Sequence, residues 1–194
     1  MDRRLTRGLQ DLSRGARPGD TVVSMLTWTS LQLSFMEDPA LHWGQCQARG
    51  LVCPVEVFTQ LFHDHVGAAD VPAVTAAVDW AQIRWSEQAV SGAELRQVYI
   101  DRRFEHGVDE AYAATLEAGV TDERPSVIEA WRVEHSWRVP PVLVTGEVIG
   151  SDYPHVLLVG NSRLGNLLAL LERGEVSPEH RHRVWIGRLA ELGA

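Results

Sequence analysis

The hydrophobic pattern is clearest in the second half of the chain, where short apolar runs alternate with glycine-containing turns. Val142-Leu143-Val144 and residues 155–159 are largely apolar runs between turn residues, which predicts two buried strands. Leucines at helical spacing follow, at Leu164, Leu167, Leu168 and Leu171, and Gly174 stands where a glycine commonly ends a helix. Residues 183–186 predict a last strand, so this half has the order strand, strand, turn, helix, strand.

The first half of the chain has a less regular pattern. Apolar residues at helical spacing predict a short surface helix at residues 5–12, and a helix with one buried face from Pro54 toward Gly67. Residues 21–35 are rich in Val, Thr, Leu and Trp without a helical period, which predicts one or two strands. Residues 79–85 alternate between apolar and polar positions, which predicts a half-buried strand.

Capping signals predict three helices between these regions. Residues 91–94, Ser-Gly-Ala-Glu, have the form of a capping box, so a helix is expected to begin near Gly92 and to run toward Gly107. A second apolar series ends at Gly119, a suitable residue just beyond a helix. Pro125 suits the first position of a third helix.

Together these elements predict an α/β (α+β) fold, in which helices pack on a small mixed sheet. Residues 146–150, between the two apolar runs, are predicted to form a turn. We expect the sheet domain to span residues 79–194, and residues 1–78 to form an extension or subdomain of helices and strands. With 194 residues and 45% hydrophobic content, the chain can bury one substantial core.

Composition excludes several classes of function. The formal charge of −8 argues against a broad surface for duplex DNA, so no such partner is expected. All 18 basic residues are arginines, so no lysine is present to form a Schiff base or to act in a P-loop. The absence of an apolar leader or spanning run, with only two cysteines, predicts a cytoplasmic protein without a membrane partner.

The candidate binding site is the turn between a predicted strand and the leucine-rich helix, formed by Gly160, Asn161, Ser162 and Arg163. A glycine after a strand permits backbone angles closed to other residues, and the first amides of a helix lack intrahelical acceptors. The helix dipole and the forked Arg163 guanidinium both favour a phosphate or carboxylate here. Alternatively, Asn161 or Ser162 simply caps the helix, and Arg163 pairs with an acidic neighbour such as Glu147 or Asp152.

A family resemblance adds to this interpretation. Residues 141–144, Pro-Val-Leu-Val, then residues 156–164 and the strand at residues 183–186 resemble the core of the ParB/sulfiredoxin-like superfamily, with a resemblance over about residues 79–188. In that superfamily a Gly-x-x-Arg turn opens a helix and contacts the phosphates of a nucleotide. The resemblance therefore implies this role for Gly160 and Arg163, in a nucleotide- or phosphate-binding ParB-like domain that is a candidate nucleotide hydrolase or nuclease-like enzyme.

The chain departs from the superfamily's pattern within this turn. Sulfiredoxins have a reactive cysteine where Asn161 stands and a histidine where Ser162 stands, which speaks against sulfinic-acid reduction. ParB partition proteins usually have glutamate at the Asn161 position and a following helix-turn-helix domain, whereas the last predicted strand here lies close to residue 194. This difference speaks against CTP-driven clamping on DNA.

Five further residues are secondary candidates. In the superfamily-like arrangement the segment before the Pro-Pro strand lies near the nucleotide, which points to Arg132, His135 and Arg138, although a solvated helix face is the simpler role for them. Glu147 and Asp152 lie in turns at strand ends and are candidates to supply carboxylates to Mg²⁺ bound with a nucleotide. Turns also carry acidic residues for solubility alone.

Two classes of function remain open. The histidine pairs at 63/65 and 180/182 lack further ligands in the sequence, so no metal site is predicted, and Cys46 and Cys53 are expected to be buried structural thiols. The first class is a domain that binds a small phosphate-bearing ligand. The second is a non-enzymatic interaction protein, such as an antitoxin, immunity or phage-defence accessory subunit, whose acidic charge suits a basic protein partner.

Overall fold

A computed structural model describes residues 25–33, 35–65, 67, 69–122 and 124–191; the helix predicted at residues 5–12 lies outside them. The first elements are α1 (Trp28–Gln32), α2 (Pro39–Ala48), α3 (Val55–Val57), a π-helix (Phe58–His63), α4 (Asp70–Val74) and a 3₁₀ turn (Trp80–Gln82). The remainder are β1 (Ile83–Ser91), α5 (Gly92–Leu95), α6 (Arg102–Ala118), α7 (Pro125–Glu134), β2 (Val142–Thr145), α8 (Gly146–Ile149), β3 (His155–Val159), α9 (Asn161–Glu172) and β4 (Arg181–Leu189).

The four strands form one mixed sheet in the order β1-β4-β2-β3. Strand β4 pairs antiparallel with β1 and parallel with β2, while β2 pairs antiparallel with β3. Helices cover both faces, which explains why β2 and β3 are apolar runs rather than alternating ones. The predicted α+β class, with helices packed on a small mixed sheet, is confirmed.

Successive strand residues point into two different hydrophobic clusters. Val142 and Val144 of β2 join residues between Leu26 and Trp80 on one face, whereas Leu143 joins residues of α6, α7 and α9 on the other. We call the first covering the N-terminal layer, meaning α1 to α4 with the π-helix, and the second the α6/α9 layer. The period-two alternation of strand side chains creates this separation.

The α6/α9 layer is closely packed because Gly165 has no side chain. A Cβ at Gly165 would lie 2.3 Å from the carbonyl oxygen of Val108 and 2.9 Å from the Cβ of Ala111. The two helices also share a buried hydrogen bond, in which Thr115 Oγ1 donates to Asn166 Oδ1 at 2.9 Å. The leucine-rich helix is therefore confirmed as α9, with Gly174 just beyond its end at φ 71°.

Two predictions in the first half are wrong in the described residues. Residues 28–32 form helix α1 instead of a strand, because Thr27 caps it by accepting from the Ser30 amide at 3.4 Å, and Trp28 and Leu31 bury one face. The predicted strand at residues 79–85 begins as the 3₁₀ turn, in which the Ala81 amide donates to Asp79 Oδ1, and becomes strand β1 only at Ile83. The helix predicted after Pro54 is confirmed in α3 and the π-helix.

Two further predictions are corrected in the middle of the chain. The capping box is confirmed, since the Glu94 amide donates to Ser91 Oγ and the Ser91 amide donates to Glu94 Oε2, but helix α5 ends at Leu95 and does not reach Gly107. It ends early because Tyr99 pairs with strand β3 in an extended conformation. Residues 146–149, predicted as a turn, form the short helix α8.

Candidate functional site

The corner between β3 and α9 requires a glycine. Gly160 has φ 111° and ψ 31°, the left-handed region, and a Cβ there would lie 2.6 Å from the Cβ of Pro141. Helix α9 begins at the next residue without a side-chain cap and without an acidic residue in its first turn. Within the described part of the chain, no side chain therefore caps the first backbone amides of α9, and an anion site at this corner requires such free amides.

The Arg163 side chain turns back over the corner. Its Nη1 donates to Gln60 Oε1 and to the carbonyl oxygen of Val139, both at 2.7 Å, and its Cζ lies 3.5 Å from the Cβ position of Gly160. Burial, with a smaller contribution from the positive charge of Arg124, lowers the pKa of Arg163 to about 10, so the guanidinium stays charged at neutral pH.

The contacts that the simpler alternative requires are not found among the described residues. No ion pair among the described residues includes Arg163, and Glu147 instead accepts a hydrogen bond from Thr145 Oγ1 at 3.1 Å. Neither Asn161 nor Ser162 caps α9. The corner therefore combines an uncapped helix start with a largely buried guanidinium that has neutral hydrogen-bond partners.

Sequence reasoning missed Gln60, which fixes the Arg163 guanidinium. Its Nε2 donates to the carbonyl oxygen of Pro140 at 3.1 Å, so the one carboxamide joins the entry to β2 with the first turn of α9. Gln60 lies in the π-helix and is 8% exposed. π-helical segments often occur at functional positions. The signal in the sequence was weak: Gln60 and Thr59 are the polar residues of a mostly apolar stretch from Val57 to Phe62.

The other two residues of the turn differ in exposure. The Asn161 side chain packs on Gly107 of α6, where a Cβ would lie 3.3 Å from Nδ2, and its buried Oδ1 has no hydrogen-bond partner among the residues that the structure describes. Ser162 is exposed at the second position of α9. Pro141 and Arg163 lie against Gly160, which leaves Ser162 as the exposed residue of this turn.

The secondary candidates are dispersed. Arg132 forms an exposed ion pair with Glu129 at 2.7 Å, and Arg138 pairs with Glu134 at 3.1 Å. His135 caps the end of α7 in the left-handed conformation, with its ring 6.4 Å from that of His180. No hydrogen bond or ion pair joins Arg132, His135, Arg138, Glu147 or the exposed Asp152 to residues 160–163 in the described parts of the chain.

The histidines and cysteines form no metal cluster in the described residues. His63 approaches the buried His42, with 3.1 Å between the two Nδ1 atoms, and the ring of His180 lies 4.8 Å from that of His182. Burial raises the pKa of Cys46 to about 11, which keeps this thiol protonated at neutral pH.

Two cavities open away from the corner. One lies between α6 and α9 beside Tyr112 and Glu172, with a volume of about 610 Å³. The other has a volume of about 380 Å³ and lies between the segment that follows α7 and the start of β4. Its lining includes Arg138, one of the secondary candidates.

No protein-family model, curated protein or solved structure matches the chain. Within the described residues, no helix combines the length and apolar character that a bilayer crossing requires.

Proposed function

We propose that this protein is a ParB-like domain that binds a phosphate-bearing ligand of the nucleotide class at the Gly160 corner. The observation that carries the proposal is the uncapped start of α9, placed directly after the left-handed Gly160 and beside the charged Arg163 guanidinium. Backbone amides at such a helix start, together with the positive end of the helix dipole, favour a phosphate group.

The ligand phosphate accepts hydrogen bonds from the amides of Asn161, Ser162 and Arg163. Hydrogen bonds to a charged group contribute about 1.5–3 kcal/mol each when formed in a partly dry site. The exposed side of the corner at Ser162 admits the phosphate. The nucleoside end then projects away from the sheet into solvent.

Arg163 favours phosphate binding mainly through the position and positive charge of its guanidinium. Both of its hydrogen bonds use Nη1 and have neutral acceptors, so they fix the guanidinium without cancelling its charge. A buried charge without a counterion is unfavourable, and the phosphate supplies that counterion. Binding should therefore stabilise the fold as well as occupy the corner.

We further propose hydrolase or nuclease-like chemistry on the bound ligand. The carboxylates of Glu147 and Asp152 are both exposed and so can be recruited by Mg²⁺ that arrives with the nucleotide. Comparison of binding and phosphate release with and without Mg²⁺ tests this part. Release that is unchanged from the buffer rate in both conditions contradicts it.

The interaction-protein alternative is favoured by a different observation. Among the described residues, seven of the twelve exposed large hydrophobic side chains lie between Met25 and Val55, within the N-terminal layer and its connections. Exposed apolar side chains grouped in one region are typical of protein-binding surfaces. In this second candidate function the N-terminal layer binds a basic protein and no nucleotide is involved.

A thermal-shift experiment with CTP, ATP and GTP separates the two functions. A ligand present at about 100 times its Kd stabilises the fold by about 2.7 kcal/mol, which raises the Tm by about 5–10 °C for a protein of this size. Ser162→Asp places a carboxylate at the amides. It should raise the Tm of the free protein slightly, through the helix dipole, and abolish the nucleotide shift.

Ser126→Asp is the matched control. Ser126 occupies the second position of α7, which also lacks an acidic residue in its first turn, and it is exposed like Ser162. The control should gain the same small stability and keep the full nucleotide shift. If no nucleotide changes the Tm of the unmodified protein, with or without Mg²⁺, the interaction function is favoured; an unchanged shift in Ser162→Asp excludes this corner.

A further inference from the structure

The second cavity is a polar cleft with several cationic side chains. We call it the β4 cleft; its lining includes Ser136, Trp137, Arg138, His180, Arg181 and Arg183. The segment that leaves α7 forms one wall, and the residues that enter β4 form the other. Its volume of about 380 Å³ lies within the range of small-molecule sites.

Arg181 provides a positive charge that forms no ion pair with any carboxylate of the described residues. Arg183 forms two hydrogen bonds with Glu87, at 2.6 and 2.7 Å, and Arg138 pairs with Glu134, the one carboxylate that lines the cleft. Arg181 instead donates to the carbonyl oxygen of Ala89. The cleft is therefore positive on a protein whose formal charge is −8.

One further carboxylate feels the charge of Arg181. The pKa of Glu94 is lowered, first by its hydrogen bonds from Ser91 and to a smaller extent by Arg181. Glu94 is held in the capping box of α5 and does not form an ion pair with Arg181. An anion in the cleft thus meets no carboxylate of the described residues that is already bonded to the Arg181 guanidinium.

A buried histidine orients the Ser136 hydroxyl. Ser136 Oγ lies 3.0 Å from Nδ1 of His182, whose ring is fully buried and whose Nε2 has no partner among the described residues. Burial lowers the pKa of His182 to about 4, so the ring is neutral at pH 7. An unpaired buried N–H is less tolerable than an unpaired acceptor, which favours a proton on Nδ1 rather than Nε2. His182 then donates to Ser136 Oγ and leaves the Ser136 hydroxyl proton for a ligand.

The backbone at the end of α7 positions these groups. His135 is the single non-glycine residue with a positive φ, 53°, in the described part of the chain, and its left-handed conformation ends helix α7 immediately before Ser136. Trp137 then anchors the segment, because its Nε1 donates to the carbonyl oxygen of Arg183 at 2.6 Å. The Ser136 hydroxyl is therefore held by contacts on both sides and is not a mobile surface group.

From this geometry we infer that the β4 cleft is a second anion site, which binds the phosphate group of a small phosphorylated molecule through Arg181 and the Ser136 hydroxyl. A guanidinium fork matches two phosphate oxygens, and the hydroxyl serves a third. His180 and Arg138 flank the phosphate. The site stands independently of the Gly160 corner, since it shares none of residues 160–163.

The test is an NMR titration with inorganic phosphate at constant ionic strength, followed at the backbone amides of Ser136 and His182. Arg181→Gln removes the unneutralised guanidinium and should raise the Kd by more than about tenfold, the loss expected for a charged hydrogen bond. Arg188→Gln is the matched control. Arg188 lies on the same strand, is exposed and bonds to Gln88, outside the cleft. It should change the Kd by less than about twofold.

Two further arms sharpen the result. Ser136→Ala should weaken phosphate by about three- to tenfold, consistent with one hydroxyl hydrogen bond, and Ser162→Asp should leave the titration at Ser136 unchanged. Equal losses in Arg181→Gln and Arg188→Gln overturn the site, because they indicate attraction to charge alone. Acetate binding as tight as phosphate overturns the assignment to phosphate.

Discussion

The two layers that cover the sheet differ in how they achieve their packing. The α6/α9 layer relies on close backbone approach, with Gly165 against α6 and one buried hydrogen bond between the helices. The N-terminal layer relies on large aromatic rings, such as Phe62 against Trp80 at 4.9 Å, and leaves several apolar side chains exposed. The first layer is a fixed support for the α9 corner. The second is a broader cover that also supplies Gln60 to it.

The largest expected effect comes from a methyl group placed at the closest point of the α6/α9 layer. Gly165→Ala must push the backbone of α6 away from α9, so the free energy of unfolding should fall by about 3 kcal/mol. Gly44→Ala is the matched control in the N-terminal layer. Gly44 is exposed within α2, where no atom of the described residues lies within 4 Å of the added Cβ. That change should stabilise the protein by about 0.5–1 kcal/mol.

Urea unfolding of the two variants measures both effects. A loss below about 1 kcal/mol in Gly165→Ala contradicts the close contact, since overpacking against backbone typically costs about 1–3 kcal/mol. Equal changes at Gly165 and Gly44 would remove the proposed difference between the layers.

A smaller effect on stability is expected from two buried histidines, His182 beside the α6/α9 layer and His42 in the N-terminal layer. Burial lowers the pKa of His182 to about 4, below the value near 6.5 of an unfolded histidine. As the pH falls below about 6.5 the unfolded chain gains protons that the folded chain does not, so stability decreases toward pH 4. Between pH 7 and pH 5 this group should account for about 2 kcal/mol of lost stability.

His182→Leu should remove that part of the pH dependence. His42, in the N-terminal layer, also has a lowered pKa, first from burial and then from His63, so His42→Leu is the comparison variant. Urea unfolding at pH 7 and pH 5 gives the change in the free energy of unfolding with pH for each protein. If the pH dependence of stability persists in His182→Leu and vanishes in His42→Leu, the acid-sensitive histidine lies in the N-terminal layer instead.

The smallest effect compares two buried threonines. Thr115→Val leaves Asn166 Oδ1 without its donor, which should cost about 1.5 kcal/mol. Thr75→Val removes a hydroxyl that donates to the carbonyl oxygen of Val71, but that oxygen keeps the Thr75 amide at 3.0 Å. The second change should cost only about 0.5 kcal/mol. Thermal unfolding measures the loss of stability in each variant. Equal losses would show that the hydrogen bond between the two helices stabilises the fold no more than the hydrogen bond within one helix.

The elements of the two layers also differ in how well the sequence predicts them. Helix α9 and strands β2 and β3 were predictable because the leucine spacing, the final glycine and the apolar runs are local signals of elements buried in the way those signals suggest. Residues 28–32 have strand-like composition, yet the Thr27 cap and the burial of Trp28 and Leu31 against the N-terminal layer make them helical. Tertiary burial overrode local propensity there.

The candidate site was predictable only in part. The Gly160 turn between a strand and helix α9 follows from neighbouring residues, so sequence spacing identifies it, whereas the sequence left open whether Asn161 or Ser162 caps the helix. The partner of Arg163 could not be identified in this way, because Gln60 lies 103 positions earlier and reaches the corner only through the packing of the π-helix on the sheet. The β4 cleft likewise joins Ser136 to His182 across 46 positions, which no local pattern indicates.

The most direct test of the phosphate site at the Gly160 corner is a ¹⁵N-edited NMR titration with the nucleotide that gives the largest thermal shift. We expect the amides of Asn161, Ser162 and Arg163 to show the largest chemical-shift changes, and Ser162→Asp to remove them. Unchanged amides at these three residues, with nucleotide bound elsewhere on the protein, would contradict it.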